Sequence, residues 1–185
     1  MQHRGDDWLI NRRRALKWLI RLAYGTFALA FALPALALRA LSQQKAQVAV
    51  GDPLVYAMYA GGASAGTPLR ADEIAVGEGV QAFPLEKSDN QANLIEVVRL
   101  AEGDGADALV AYSAICTHLG CVVYAELNED NNIACPCHDS RFDPEDDAEV
   151  ISGPANRPLP SLPIAVNDEG IVVVAGPFSG PVGPE

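Results

Sequence analysis

Basic side chains are scarce in this chain: 13 Lys and Arg stand against 24 Asp and Glu, for a formal net charge of -11. Neutralising phosphates takes clustered Lys and Arg, so a nucleic-acid partner is excluded. Histidine and cysteine are rarer still, three and four residues, and all four Cys with two of the His fall between positions 116 and 138. Whatever chemistry they carry is done in one place. Internal repeats and long low-complexity runs are absent, which argues against a disordered chain. What is present is a hydrophobic share of 49% in 185 residues, enough for one packed domain of ordinary size plus an accessory segment.

The charge is unevenly spread. Residues 1–42 carry seven basic side chains and two acidic ones, +5, whereas the remaining 143 carry six and 22, -16. Such a break suggests a chain that crosses between compartments. Residues 22–38 contain no charge and span about 26 Å as a helix, just enough to cross a bilayer. Trp18, Leu19 and Ile20 extend the run, with Arg21 and Arg39 placed to snorkel at its ends. The basic residues before it put the N-terminus inside a bacterial cytoplasmic membrane and the acidic part outside, as a single-pass protein. A cleaved signal peptide is the other reading, because Ala35-Leu36-Ala37 fits a small-x-small cleavage site and Pro34 interrupts the run. Upstream, residues 11–17 (NRRRALK) resemble a twin-arginine export signal. His3 lies before the anchor, away from the other two histidines.

The expected organisation is a cytoplasmic segment 1–17, an anchor 18–41, a flexible polar tether 42–47 and an outer domain 48–185. Beyond Leu41 no stretch holds a helical period over about twelve residues. Short β-type runs at 54–59, 94–100, 109–113, 121–127, 162–166 and 171–175 instead predict a small all-β antiparallel sandwich or barrel. The glycine-rich loop 61–66 reads as a surface connection, since no Lys-Ser follows it.

Two short segments carry the chemistry: Cys116-Thr117-His118-Leu119-Gly120-Cys121 and Cys135-Pro136-Cys137-His138-Asp139-Ser140. They read C-x-H and C-x-x-H with one further Cys each. Thiolates and imidazoles at this spacing bind zinc in one tetrahedron or an iron-sulfur cluster with two ligands of each kind. Ligand count leaves both open. Outside the membrane the leftover pair of cysteines would oxidise.

CTHLGC and CPCHxS resemble the two cluster-binding boxes of Rieske iron-sulfur proteins, in their disulfide-containing branch. The likeness covers roughly residues 110–174, with a cluster-binding part at about 112–155. It implies one [2Fe-2S] cluster, with Cys116 and Cys135 on one iron, His118 and His138 on the other, and a disulfide between Cys121 and Cys137. It also implies that Leu119 packs over the cluster, that the Ser140 hydroxyl hydrogen-bonds a cluster sulfur, and that Gly153-Pro154 forms a covering proline loop. Asp139 stands where the family's second box has Gly, and Phe142 where it has Tyr. Both departures are expected to lower the reduction potential, which favours menaquinol over ubiquinol as donor.

An anchor, a tether and an outward head resemble the Rieske subunit of a quinol:cytochrome c oxidoreductase, the cytochrome bc complex. The stretches 157–163 and 181–184 support this. The resemblance implies cytochrome b and a c-type cytochrome as partners, with His138 meeting the quinol hydroxyl and taking its proton. The main rival is the Rieske subunit of a molybdenum oxidase such as arsenite oxidase, whose second box resembles Ser140-Arg141-Phe142-Asp143-Pro144 equally well. The acidic run Asp143, Glu145, Asp146, Asp147 and Glu149 reads as a solvated loop or as a docking surface for a basic cytochrome.

Overall fold

The computed structural model of the chain describes residues 6–45, 47–57, 66–103 and 105–184. Two units are separate in it, Met1–Lys45 and Ala46–Glu185. The first is one helix, α1 (Asp6–Lys45), 40 residues long with Pro34 inside it. Within it, Arg14–Pro34 is long and apolar enough to cross a membrane. The Thr26 hydroxyl is bonded back to the carbonyls of Leu22 and Ala23, so its polar group is satisfied on the helix itself.

The helix runs past the expected anchor at both ends. It takes in residues 6–17, read as a separate segment, and residues 42–45, read as the start of a flexible tether. Neither stretch contains Gly or Pro, and Gln, Lys, Arg and Leu propagate a helix once it has begun. At the far end of the expected tether, the Gln47 carbonyl accepts a hydrogen bond from Lys87 Nζ at 2.8 Å, and the same ammonium pairs with Asp52 Oδ2 at 2.6 Å. Gln47 is therefore fastened to the outer unit.

That unit is antiparallel β throughout its sheets. Strands β1 (Leu54–Tyr56), β2 (Gly79–Pro84), β3 (Ile95–Arg99) and β4 (Leu109–Ser113) form a sheet in sequence order. Strands β5 (Ile133–Ala134), β6 (Arg141–Asp143) and β7 (Glu149–Ser152) form a second, and β8 (Ile164–Val166) pairs with β9 (Val172–Val174). The four-stranded sheet is buried on both faces, which is why β2 and β3 are enclosed along their whole length. Period-two alternation sends Ile95, Val97, Leu109 and Ala111 to a core with Leu54, Leu69, Val172 and Val174. It sends Leu94, Val98, Tyr112 and Ala114 to another core with Ile133, Phe142, Cys116 and Cys135. The first core joins the sheet to the β8–β9 hairpin, and the second joins it to the loops that carry the cysteines.

Strands β1, β3, β4, β8 and β9 fall within the expected runs. Residues 58 and 59 of the first run and residues 61–65 of the glycine-rich loop lie outside the described residues. The run 121–127 is not a strand: it makes one isolated bridge, Ile115 to Val122, and single backbone bonds from Val123 to Ala114 and from Tyr124 to Ala134. Strand β2 was not expected, because Gly79 and Pro84 at its ends read as punctuation. Strands β5, β6 and β7, two to four residues each, are too short to show a period.

Candidate metal centre

The two cysteine loops share one backbone design. In the first, which follows β4, the Cys116 N–H donates to the Cys121 carbonyl at 2.8 Å and the Gly120 N–H donates back to the Cys116 carbonyl at 3.0 Å. In the second, between β5 and β6, the Cys135 N–H donates to the Ser140 carbonyl at 2.8 Å and the Asp139 N–H to the Cys135 carbonyl at 3.1 Å. Each loop is thus closed by the same i to i+5 and i+4 to i pair. Each also turns through a left-handed residue at its fifth position, Gly120 at φ 80° and Asp139 at φ 57°. Asp is among the few non-glycine residues that enter this region readily, which is how it can stand at a glycine position.

The loops face each other. Cys121 and Cys137 form a disulfide that links them across a separation of 16 residues. Cys116 and Cys135 are buried free thiols, and the sulfurs of Cys121, Cys135 and Cys137 lie within 4.8 Å of one another. The rings of His118 and His138 meet edge to face with centroids 4.7 Å apart. His118 is half-buried and its Nδ1 has neither solvent nor a hydrogen-bond partner, while His138 is exposed. A buried imidazole nitrogen with no hydrogen-bond partner and two buried free thiols are donors suited to a metal centre. Two sulfur and two nitrogen donors fit a [2Fe-2S] cluster of the mixed-ligand kind.

The Cys116 thiol sits in a setting that resists charge. Burial pushes the Cys116 thiol up from its ordinary value, and the hydrogen-bonding neighbour Cys135 adds to this. The His118 backbone N–H and the Ser140 hydroxyl act in the opposite sense by hydrogen-bonding the sulfur. Ser140 is fully buried, and its Oγ also accepts the Ala155 N–H at 3.1 Å. That bond draws residues 153–155 onto the second loop. Gly153, at φ 90°, is needed there, since a Cβ would stand 2.8 Å from both the Asp139 carbonyl and the Ser140 nitrogen. Pro154 follows it at the surface, and Leu119, next to His118, is 62% exposed.

Asp139 does not stand as a lone charge. Arg141 reaches it with Nε at 3.4 Å from Oδ1 and Nη2 at 3.4 Å from Oδ2, and reaches Asp130 at 3.6 Å. Phe142 is fully buried opposite Ile133, in the core that contains Cys116 and Cys135, so no phenolic donor is available there. Of the acidic run, Glu145, Asp146, Asp147 and Glu149 are exposed. His3 lies outside the described residues. Sequence reasoning did not single out Thr117, Ala155 or Arg141 as supports of the loops. Their contacts run across many residues and leave no local pattern, although Arg141 two residues after Asp139 was a visible charge pair.

Residues 71–163 match the family model of the Rieske [2Fe-2S] domain. Among curated relatives, a putative respiratory nitrate reductase subunit Rieske of Haloferax mediterranei is 40% identical over 128 residues, 64% of this chain and 57% of that protein. A cytochrome bc1 complex Rieske iron-sulfur subunit of Streptomyces lividans is 40% identical over 134 residues, 63% of this chain and 79% of that protein. Among solved structures, the plasma-membrane Rieske protein PetC3 of Synechocystis aligns with a TM-score of 0.41 and 25% identity, over 54% of this chain and 87% of that one.

Proposed function

The chain belongs to the Rieske [2Fe-2S] family, and we propose that it is the electron-transfer subunit of a membrane quinol:cytochrome c oxidoreductase, with menaquinol as donor. Its cofactor is one [2Fe-2S] cluster, which supplies a one-electron couple when bound. In this reading Cys116 and Cys135 hold one iron and His118 and His138 the other. The observation that carries the quinol assignment is the asymmetry of the two imidazoles. His118 is half-buried, whereas His138 is exposed. An exposed imidazole accepts a quinol hydroxyl by hydrogen bond and keeps its proton.

The 40% identity to a bc1 Rieske subunit over most of that protein's length supports the reading, as do the apolar stretch of α1 for single-pass anchoring and the basic residues before it for an N-terminus inside. Cytochrome b and a c-type cytochrome are the partners it requires. A second reading, the Rieske subunit of another respiratory complex, is favoured by the equal identity to the nitrate reductase relative. The test is to purify the complex from membranes through a tag on this chain. Co-purifying b-type haem and menaquinol-dependent reduction of a c-type cytochrome, lost in His138→Ala, are expected. A partner without haem b, inactive with quinol, would overturn the first reading and favour the second.

A further inference from the structure

Arg157 occupies a position that the ligand motifs do not account for. Its backbone carbonyl accepts a 2.7 Å hydrogen bond from the Thr117 hydroxyl, and Thr117, 2% exposed, lies between Cys116 and His118. Its guanidinium points the other way and donates to the Pro181 carbonyl at 3.0 Å and to the Gly183 carbonyl. The segment so held comes back to the first loop. Val182 packs against the core that contains Cys116, a Cβ on Gly183 would be 3.4 Å from Ile115 Cγ2, and a Cβ on Gly120 would be 3.3 Å from Pro184 Cδ. The contacts therefore close a ring: Thr117 to Arg157, Arg157 to residues 181–184, and these residues to Ile115 and Gly120 on either side of Cys116 and His118.

We propose that residues 181–184 are a strap that Arg157 fastens over the first loop, and that Arg157 is a positioning residue for Cys116 and His118. The second loop needs no such strap, because Ser140, Ala155 and Gly153 already clamp it from within the sequence that follows it. The first loop has no equivalent Ser, and a glycine at its left-handed position lets it move more freely than Asp139 lets the second. One nitrogen of the guanidinium, Nη2, donates to both the Pro181 and the Gly183 carbonyls, so a single group ties the two ends of this segment together. The proposal rests on the assignment of Cys116 and His118 as cluster ligands.

The experiment uses the full-length protein in detergent with its cluster, and compares it with Arg157→Gln, with Thr117→Val and with a chain lacking residues 181–185. The readouts are the electron paramagnetic resonance spectrum of the reduced protein, its midpoint potential, and the half-time of cluster loss to a chelator. All three variants are expected to broaden the spectrum and shift the potential. Each is also expected to shorten the half-time about five-fold or more, the factor that a single lost interaction produces. Adding Arg157→Gln to the shortened chain should bring little further change, because both break the same ring. If the shortened chain fails to fold, Arg157→Gln and Thr117→Val carry the test. Spectra, potentials and half-times equal to the unaltered protein would overturn the strap. An unaltered protein without any cluster signal would instead overturn the ligand assignment.

Discussion

The two loops that carry the ligands are alike in backbone and unlike in support. Both close with the same pair of hydrogen bonds and both turn through a left-handed residue at the fifth position. The second is clamped by the stretch just after it, through Ser140 to Ala155 and the close approach of Gly153. The first is held from far away, through Thr117 to Arg157 and residues 181–184. A loop motif thus fixes which atoms converge on a metal, but the rigidity with which it holds them is supplied by whatever packs behind it.

The largest expected effect tests the equivalence of the loops. Cys116→Ser and Cys135→Ser should each abolish the cluster, seen as loss of both iron and acid-labile sulfide from the purified protein, since each removes half of one iron's thiolate pair. Retention of a full cluster in either variant would break the symmetry between the loops.

Next in size is the bridge between them. Replacing Cys121 and Cys137 together by Ser should lower the unfolding free energy by about 3 kcal/mol, the cost of freeing a closed loop of roughly this length. Guanidinium titration of the two proteins measures it. The cluster should also be lost sooner, because the bridge is the covalent tie that holds the two ligand loops together.

A smaller effect sharpens the contrast at the fifth positions. Gly120→Ala should cost about 1–2 kcal/mol, since a Cβ is strained in the left-handed region, while Asp139→Gly should change stability by less. Asp139→Gly also leaves Arg141 without its nearer carboxylate, so the midpoint potential should rise. An unchanged potential on protein-film voltammetry would mean that the Arg141 pairing already cancels the charge of Asp139 at the cluster.

The smallest effect lies in the sheet beneath. Glu96 is fully buried opposite Gln81 in β2 with no hydrogen-bond partner on either carboxylate oxygen, because the Gln81 amide donates to the Val123 carbonyl instead, and burial pushes its carboxyl well above the ordinary range. A carboxyl whose folded value is raised contributes stability that is complete below its ordinary pKa and is lost as pH rises towards the raised one. Thermal unfolding from pH 4 to pH 8 should show this decline, and Glu96→Gln should flatten it without touching the cluster spectrum.

The sequence by itself determined that the cysteines and two of the histidines are grouped, since all four Cys with His118 and His138 fall on two short segments between residues 116 and 138. The acidic character of residues 46–185, the apolar helix and the all-β class were legible as well, because charge, hydropathy and strand periodicity are local quantities. Strands β5, β6 and β7 around the second cysteine loop were not, and neither was the continuation of α1 to Lys45 through residues that only look like a linker. Only the tertiary structure decided that Gly153 must lack a side chain against the second loop and that Thr117 is bonded to Arg157. Each depends on atoms brought together from distant positions, such as Thr117 and Arg157, and hydrogen bonds of that reach are set by how the sheets and loops pack rather than by neighbouring residues.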